Sequence, residues 1–144
     1  MVTVKKIFNN LQGKWKVKRL LSGYGTAEGV AVFSLHDNQE NYLHYREDVT
    51  VKPTEIISPY IAYREYIYIY DLQKNNIIQK FIDNKLFCVL NFSISSNTAQ
   101  GEHICELDHY KATYHFTNEN IFTVIYKVVG TNKNYLIETE YTRL

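Results

Sequence analysis

The sequence predicts an all-β fold, an antiparallel up-and-down barrel of about eight to ten strands with a short N-terminal helix. Three observations support this prediction: a period of two in the side-chain pattern, turn clusters at intervals of roughly 8–12 residues, and helical spacing only near the start of the chain. Connections this short suit hairpins, whereas a Greek-key sandwich needs long crossovers. A meander closes most easily into a barrel, because closure removes its unpaired edges.

The helix is predicted from one apolar stripe, in which Val4, Ile7, Phe8 and Leu11 recur at helical spacing. Ten strand-like runs follow, separated by turn clusters such as residues 23–25. The predicted strands are 14–22, 28–35, 42–51, 60–70, 76–83, 86–92, 99–105, 110–116, 121–129 and 134–143. No repeat, linker or shift in composition divides the chain, so residues 1–144 are expected to form a single domain.

The first and last strands carry residues that set the orientation of the barrel. Gly13-x-Trp15 opens the first strand, and Arg143 lies in the last. This combination resembles the signature of calycin, or lipocalin-like, barrels. The resemblance implies that the tryptophan plugs the closed end and that the arginine stacks across it, a cation–π contact of about 1 kcal/mol or more.

With Trp15 inside, alternation along the strands predicts which other side chains point inward. Val17, Arg19 and Leu21 share the face of Trp15, which leaves the lysines between them in water. The pattern of residues 60–70 is ambiguous, and we favour the face with the larger tyrosines because other strands also direct aromatic residues inward. The other predicted inward residues are Gly29, Ala31, Phe33, Leu43, Tyr45, Glu47, Val49, Arg64, Tyr66, Tyr68, Tyr70, Tyr110, Ala112, Tyr114, Phe116, Tyr135, Ile137, Thr139 and Tyr141.

Two further motifs extend the resemblance over nearly the whole chain. Residues 103–110 read H-x-C-x-x-D-x-Y, and residues 130–135 read G-x-x-K-x-Y. Both resemble a family of small proteins known only as a domain of unknown function, which implies a calycin-like barrel and no established activity. The chain departs from the family pattern at Asn84, Cys88 and Thr131, where glycine, histidine and proline are expected. The change at Cys88 removes one imidazole from any site that used it.

Composition excludes several classes of partner. Charged residues make up 22% of the 144, and the formal net charge is +1, so we predict no nucleic-acid partner. No apolar stretch approaches the roughly 20 residues of a membrane helix, and no signal segment is visible, so we predict no membrane partner and a cytoplasmic location. Cys88 and Cys105 are expected to be reduced. The oligomeric state does not follow from the sequence.

Tyrosine and arginine supply the candidate site. There are 13 tyrosines against one tryptophan, and a ring with a polar tip suits a half-wet cavity. Our leading hypothesis is a lumen that binds a small anionic or aromatic molecule, with Arg19 and Arg64 as anion anchors. A buried network in which Glu47 neutralises an arginine is the alternative. The candidate ligand-binding residues are Arg19, Tyr45, Arg64, Tyr66, Tyr68, Cys105, Tyr110, Lys133 and Tyr135.

Other kinds of function remain open from the sequence. An enzyme on this scaffold would use acid–base chemistry, of the decarboxylase or isomerase type, with Glu47 or His103 as the proton shuttle. A protein-interaction module would use exposed residues such as Tyr60 and Tyr63. His103, Cys105 and Cys88 do not have the paired spacing of a structural zinc site, so we predict no metal and no cofactor.

Overall fold

A computed structural model describes residues 3–55 and 57–144. In these residues ten antiparallel strands form one closed barrel, as the sequence predicts. Each strand pairs with the next along the chain, and the last pairs with the first. The elements are α1 (Val4–Leu11), β1 (Gly13–Leu21), β2 (Gly25–Leu35), β3 (Tyr42–Pro53), β4 (Tyr60–Asp71), β5 (Asn76–Lys80), β6 (Leu86–Ser93), a 3₁₀ turn (Ile94–Ser96), β7 (Thr98–Cys105), β8 (Asp108–Asn118), β9 (Ile121–Gly130) and β10 (Lys133–Arg143).

All ten predicted strands are present; β8 has 11 residues instead of the predicted seven, and β5 has five instead of the predicted eight. This strand ends at Lys80 because the chain turns at Phe81, whose backbone N–H donates to the carbonyl of Lys85 at 2.9 Å. Asn84 lies in this turn with a φ of 72°. Asparagine is one of the residues that tolerate this left-handed conformation, so it can stand where the resemblance leads us to expect glycine.

Helix α1 and Trp15 close one end of the barrel, which we call the closed end. The four residues of the predicted apolar stripe are all buried. The indole N–H of Trp15 donates to the carbonyl of Leu11 at 2.8 Å. The guanidinium of Arg143 lies 4.1 Å from the centre of the Trp15 ring and also donates to the carbonyls of Asn10 and Gln12. The stacked tryptophan and arginine that the resemblance implies are therefore present.

Gly13 has a specific reason to be glycine. Its φ is +132°, and a Cβ at this position would lie 2.9 Å from Nη1 of Arg143. Any other residue would meet the arginine that covers Trp15. The glycine of the G-x-W pattern thus makes room for the stack at the closed end.

The predicted faces are also observed. Val17 and Arg19 are buried with Trp15, and the lysines between them are exposed. On β4, Tyr66, Tyr68 and Tyr70 are buried, so the tyrosine face is the inner one. We call the other end of the barrel, where β1 ends and β4 begins, the mouth. No helix in the described part of the chain is long and apolar enough to cross a bilayer.

One side of the barrel near the mouth is bridged by side chains instead of backbone pairs. Strands β6 and β7 pair only between Asn91–Ser93 and Thr98–Gln100. Beyond this point Nδ1 of His103 donates to the carbonyl of Phe87 at 2.8 Å, and the two rings stack at 4.6 Å. His103 therefore takes the place of a ladder hydrogen bond across this gap.

Candidate functional site

A cavity of about 490 Å³ opens at the mouth of the barrel. Its volume lies within the usual range for a small-molecule pocket. Strands β1, β2, β3, β4 and β10 contribute its walls, and charged side chains lie at its inner end. We call it the mouth cavity. Its lining residues are Arg19, Leu21, Ser22, Tyr24, Ala27, Glu47, Val49, Val51, Tyr60, Ala62, Tyr63, Arg64, Tyr135 and Ile137.

Glu47 is the centre of a buried hydrogen-bond network. Its side chain is 1% exposed, and its carboxylate accepts two hydrogen bonds from Arg19, at 2.6 and 2.8 Å. The hydroxyl of Tyr45 donates to the same carboxylate at 2.5 Å. Burial alone would raise the pKa of Glu47, but the hydrogen bonds from Arg19 and the charge of Arg64 outweigh burial and lower it. Glu47 is therefore a buried carboxylate that stays ionised.

Each of the three guanidinium nitrogens of Arg19 donates a hydrogen bond to another side chain. Its side chain is 5% exposed, and its Nε donates to Oγ1 of Thr139 at 2.8 Å. Its two terminal nitrogens form the pair of bonds to Glu47. The sequence hypothesis gave Arg19 a ligand anion as its partner; in the structure a protein carboxylate takes that place.

Small residues on β2 allow this contact between strands that are not neighbours. Strand β2 lies between β1 and β3, and its inward residues near the pair are Ala27, Gly29 and Ala31. The backbone at Gly29 is so close to β3 that a Cβ would lie 2.0 Å from the carbonyl oxygen of Asp48. With no bulk on β2, the side chain of Arg19 crosses it to reach Glu47.

Arg64 has a different environment, although it also faces Glu47. It is the direct cross-strand partner of Glu47, with Nε 3.3 Å from Oε2. Its side chain is 36% exposed and lines the mouth cavity. Among the described residues, no hydrogen bond engages its two terminal nitrogens. The guanidinium therefore presents unpaired donors to the cavity.

The predicted tyrosine wall lies deeper than the mouth cavity. Tyr45, Tyr66 and Tyr68 are buried, and none of them lines that cavity. The hydroxyl of Tyr45 is 2.8 Å from that of Tyr141, and the space left among these rings is about 10 Å³. Burial raises the pKa of Tyr45 and Tyr68, so both stay protonated. These side chains form a packed polar core.

A different set of tyrosines lines the mouth cavity. Tyr24, Tyr60, Tyr63 and Tyr135 surround it, and the hydroxyls of Tyr24 and Tyr60 are 2.8 Å apart. Of these, the sequence hypothesis placed only Tyr135 in the site. Tyr60 is four residues before Arg64 and therefore lies on the same face of β4. Applying the alternation to the whole strand would have placed Tyr60 in the site. Tyr24 lies in a turn, where no alternation applies.

The remaining predicted site residues lie elsewhere. Lys133 forms an ion pair with Asp108 at 2.7 Å, and Cys105 is exposed. His103 and Tyr110 have ring centres 5.9 Å apart, beside the gap between β6 and β7. None of these four residues lines the mouth cavity. In the described ranges, no group of three or more His, Cys, Asp or Glu residues is placed to hold a metal ion.

Cys88, where the resemblance leads us to expect histidine, is buried, whereas Cys105 is exposed. The thiol of Cys88 donates weakly to Oε1 of Gln79 at 3.5 Å. Burial raises the pKa of Cys88 to about 12. The thiol is therefore protonated and unreactive at neutral pH.

Comparison with known proteins shows the family and the fold. The chain belongs to a family of unknown function, DUF6314, whose family model matches residues 11–143. The S-type phycobiliprotein lyase CPES from Guillardia theta is similar in structure, with a TM-score of 0.66, 8% sequence identity, and coverage of 99% of this chain and 93% of that one. No curated protein sequence matches the chain.

Two further solved structures share the barrel fold. One is the complex of EF1p2_mFAP2b with DFHBI, with a TM-score of 0.53, 9% identity and coverage of 99% and 100% of the two chains. The other is a fluorescence-activating β-barrel designed de novo, with a TM-score of 0.51, 10% identity and full coverage of both chains. At such low identity these similarities establish the fold alone.

Proposed function

We propose that this protein binds a small anionic molecule with an aromatic or apolar body in the mouth cavity, and that Arg64 is the anion anchor. The observation that carries the proposal is the state of Arg64. Its guanidinium faces the cavity, one nitrogen is oriented by Glu47, and the two terminal nitrogens have no hydrogen-bond partner among the described residues. Arginine binds carboxylate and phosphate groups through such a pair of nitrogens.

The rest of the cavity suits the body of such a molecule. Val49, Val51 and Ala62 supply apolar surface, and Tyr60 and Tyr135 supply rings near the mouth. Rings of this kind stack on an aromatic ligand or cover an alkyl chain. The structure of EF1p2_mFAP2b bound to DFHBI supports the proposal, because that protein has this fold and binds a small molecule.

The acid–base alternative has no comparable support. Both oxygens of Glu47 accept hydrogen bonds from the protein, and its pKa is lowered, whereas a proton shuttle needs a pKa close to the working pH. His103 bonds to the carbonyl of Phe87 and does not line the cavity. We therefore propose binding and not catalysis as the function of the mouth cavity.

The proposal is tested by native mass spectrometry of the freshly purified protein. We expect an additional mass from a co-purified small molecule, and we expect Arg64→Gln to lose it. Lys127→Gln is the matched control, because it removes one positive charge from an exposed side chain of β9. An additional mass that is kept by Arg64→Gln would contradict the role of Arg64, and so would one that is lost equally from both variants.

We also propose that the protein works in a reducing compartment such as the cytoplasm. Both cysteines are free, and Cys105 is exposed. Exposed free thiols persist where disulfides are disfavoured. Fractionation of cells that produce the tagged protein tests this proposal, and recovery in a secreted fraction would contradict it.

A further inference from the structure

We infer that the mouth cavity selects monoanions, namely carboxylates on an uncharged apolar body, and discriminates against phosphate dianions and amino acids. This inference rests on the proposed function and names the class of ligand. It follows from the charges that line the cavity, from the hydrogen bonds that Glu47 already makes, and from the apolar character of most of the wall.

The charged side chains of the lining determine which charge on a ligand is neutralised. Among the described residues, Arg19, Glu47 and Arg64 are the only charged ones in the lining, and together they give it a net charge of +1. Tyr24 does not alter this sum, because its hydrogen bond with Tyr60 raises the pKa of Tyr24 and keeps its hydroxyl neutral. One negative charge therefore neutralises the cavity. A dianion would leave an excess negative charge against a largely apolar wall, which is unfavourable.

The geometry of Glu47 excludes zwitterions. An amino acid would place its ammonium group near its carboxylate, so the ammonium would need an acceptor beside Arg64. Within residues 3–55 and 57–144, Glu47 is the only carboxylate in the lining, and its oxygens already accept bonds from Arg19 and Tyr45. An ammonium group would lose its hydration without gaining a partner.

The wall between Arg64 and the mouth favours an apolar body. Six aliphatic side chains line it: Leu21, Ala27, Val49, Val51, Ala62 and Ile137. The Ser22 hydroxyl already accepts a hydrogen bond from the backbone N–H of Leu136. The hydroxyls of Tyr24 and Tyr60 bond to each other. Few groups remain for the hydroxyls of a sugar or nucleotide, whereas a planar or alkyl body would contact apolar surface.

The test compares three head groups, a carboxylate, an amide and a phosphate, on the same naphthyl body. We would titrate the full chain calorimetrically with 2-naphthoate, 2-naphthamide and 2-naphthyl phosphate at about pH 8, where a phosphate monoester with a second pKa near 6 is a dianion. Decanoate is the second body, in case the cavity accepts only a flexible chain. We expect the carboxylate to bind at least about tenfold more tightly than the amide and the phosphate, a difference of about 1.4 kcal/mol.

Variants separate this inference from the proposed function. We expect Arg64→Gln to remove the preference for the carboxylate and Lys127→Gln to keep it, with both variants checked for a native thermal transition. If the phosphate binds as tightly as the carboxylate and still depends on Arg64, the monoanion selection is wrong while the binding site stands. The inference is overturned if Arg64→Gln changes none of the affinities, or if neither naphthoate nor decanoate binds. The proposed function is rejected as well if Arg64→Gln also keeps a co-purified mass.

Discussion

The inner half of the barrel and its mouth contain the same kinds of residue in opposite states. In the inner half, Arg19 is held by Glu47 and Thr139, and the hydroxyls of Tyr45 and Tyr141 bond to each other. At the mouth, Arg64 is partly exposed and its terminal nitrogens are unpaired within the described residues. Residue type and inward orientation therefore do not distinguish a structural network from a binding site; the exposure of each side chain and its hydrogen-bond partners do.

Strand β4 shows this contrast within one element. Tyr66, Tyr68 and Tyr70 belong to the packed interior, and two residues before them Arg64 lines the mouth cavity. The change occurs between Tyr66 and Arg64, about 6.6 Å apart along the strand. The buried part supplies a fixed carboxylate, and the exposed part uses that carboxylate to orient a cation.

The largest expected effect on stability comes from a substitution that breaks the inner hydrogen-bond network. Glu47→Gln leaves Arg19 and Arg64 without their shared counterion, and removing one partner of a buried ion pair costs about 3–5 kcal/mol. We expect the free energy of unfolding, measured by urea denaturation, to fall by that amount. Glu65→Gln is the control, because Glu65 lies on the outer face of β4 with partners His44 and Arg46. Partly exposed pairs contribute about 0–1 kcal/mol, and equal losses in the two variants would contradict the contrast.

The same carboxylate predicts how stability depends on pH. The pKa of Glu47 is lowered in the folded protein from an ordinary value of 4.5. Its contribution to stability is therefore complete above about pH 4.5 and is lost as the pH falls through the lower folded-state value. We expect the stability difference between the natural protein and Glu47→Gln to shrink as the pH falls below 4.5. A difference that is constant from pH 7 to pH 3 would show that folding does not lower the pKa of Glu47.

A smaller effect is expected at the tyrosine pair. Tyr141→Phe removes the hydroxyl that lies 2.8 Å from that of Tyr45, while Tyr45 keeps its bond to Glu47. We expect a loss of about 1 kcal/mol in unfolding free energy, the usual net value of one hydrogen bond. Tyr60→Phe, which removes the corresponding bond to Tyr24 at the exposed mouth, serves as the comparison. We expect it to have a smaller effect on stability, because water replaces the lost partner.

The smallest effect on stability is expected for the residue with the largest effect on binding. Arg64→Gln removes a partly exposed cation, while Arg19 still donates two hydrogen bonds to Glu47. We expect the unfolding free energy to change by less than about 1 kcal/mol, while carboxylate affinity falls at least tenfold. Urea denaturation and calorimetry on the same sample measure both quantities. Unfolding of this variant would make Arg64 part of the structural network.

The sequence predicts the strands and their faces well, because alternation depends only on the pleat of each strand. How deep an inward side chain lies in the barrel is not predicted in this way. That depth depends on the stagger between neighbouring strands and on the residue at which each strand pair ends. Tyr45 and Tyr68 face inward as predicted, yet they lie below the mouth cavity. His103 and Cys105 lie on the same face of β7. Cys105 is nevertheless exposed, because it lies beyond the point where β6 and β7 stop pairing.

The contacts of long side chains also cannot be predicted from the alternation of residues along a strand. The cross-strand register pairs Glu47 with Arg64, and this contact could be expected once the two strands are known to be neighbours. The stronger contact is with Arg19, two strands away, and it depends on the small residues of β2. No alternation rule contains that information, because it requires the shape of the space between three strands.

The seam between β1 and β10 has a consequence for how the protein folds. Arg19 and Thr139 face each other across it and are 120 positions apart in the chain. Every other strand pair joins neighbours in sequence and can form early, whereas this pair must close the longest loop, which is entropically slow. Until then β1 and β10 each present an open edge. The Trp15–Arg143 stack is made across the same seam, so weakening it should accelerate unfolding more than it slows folding.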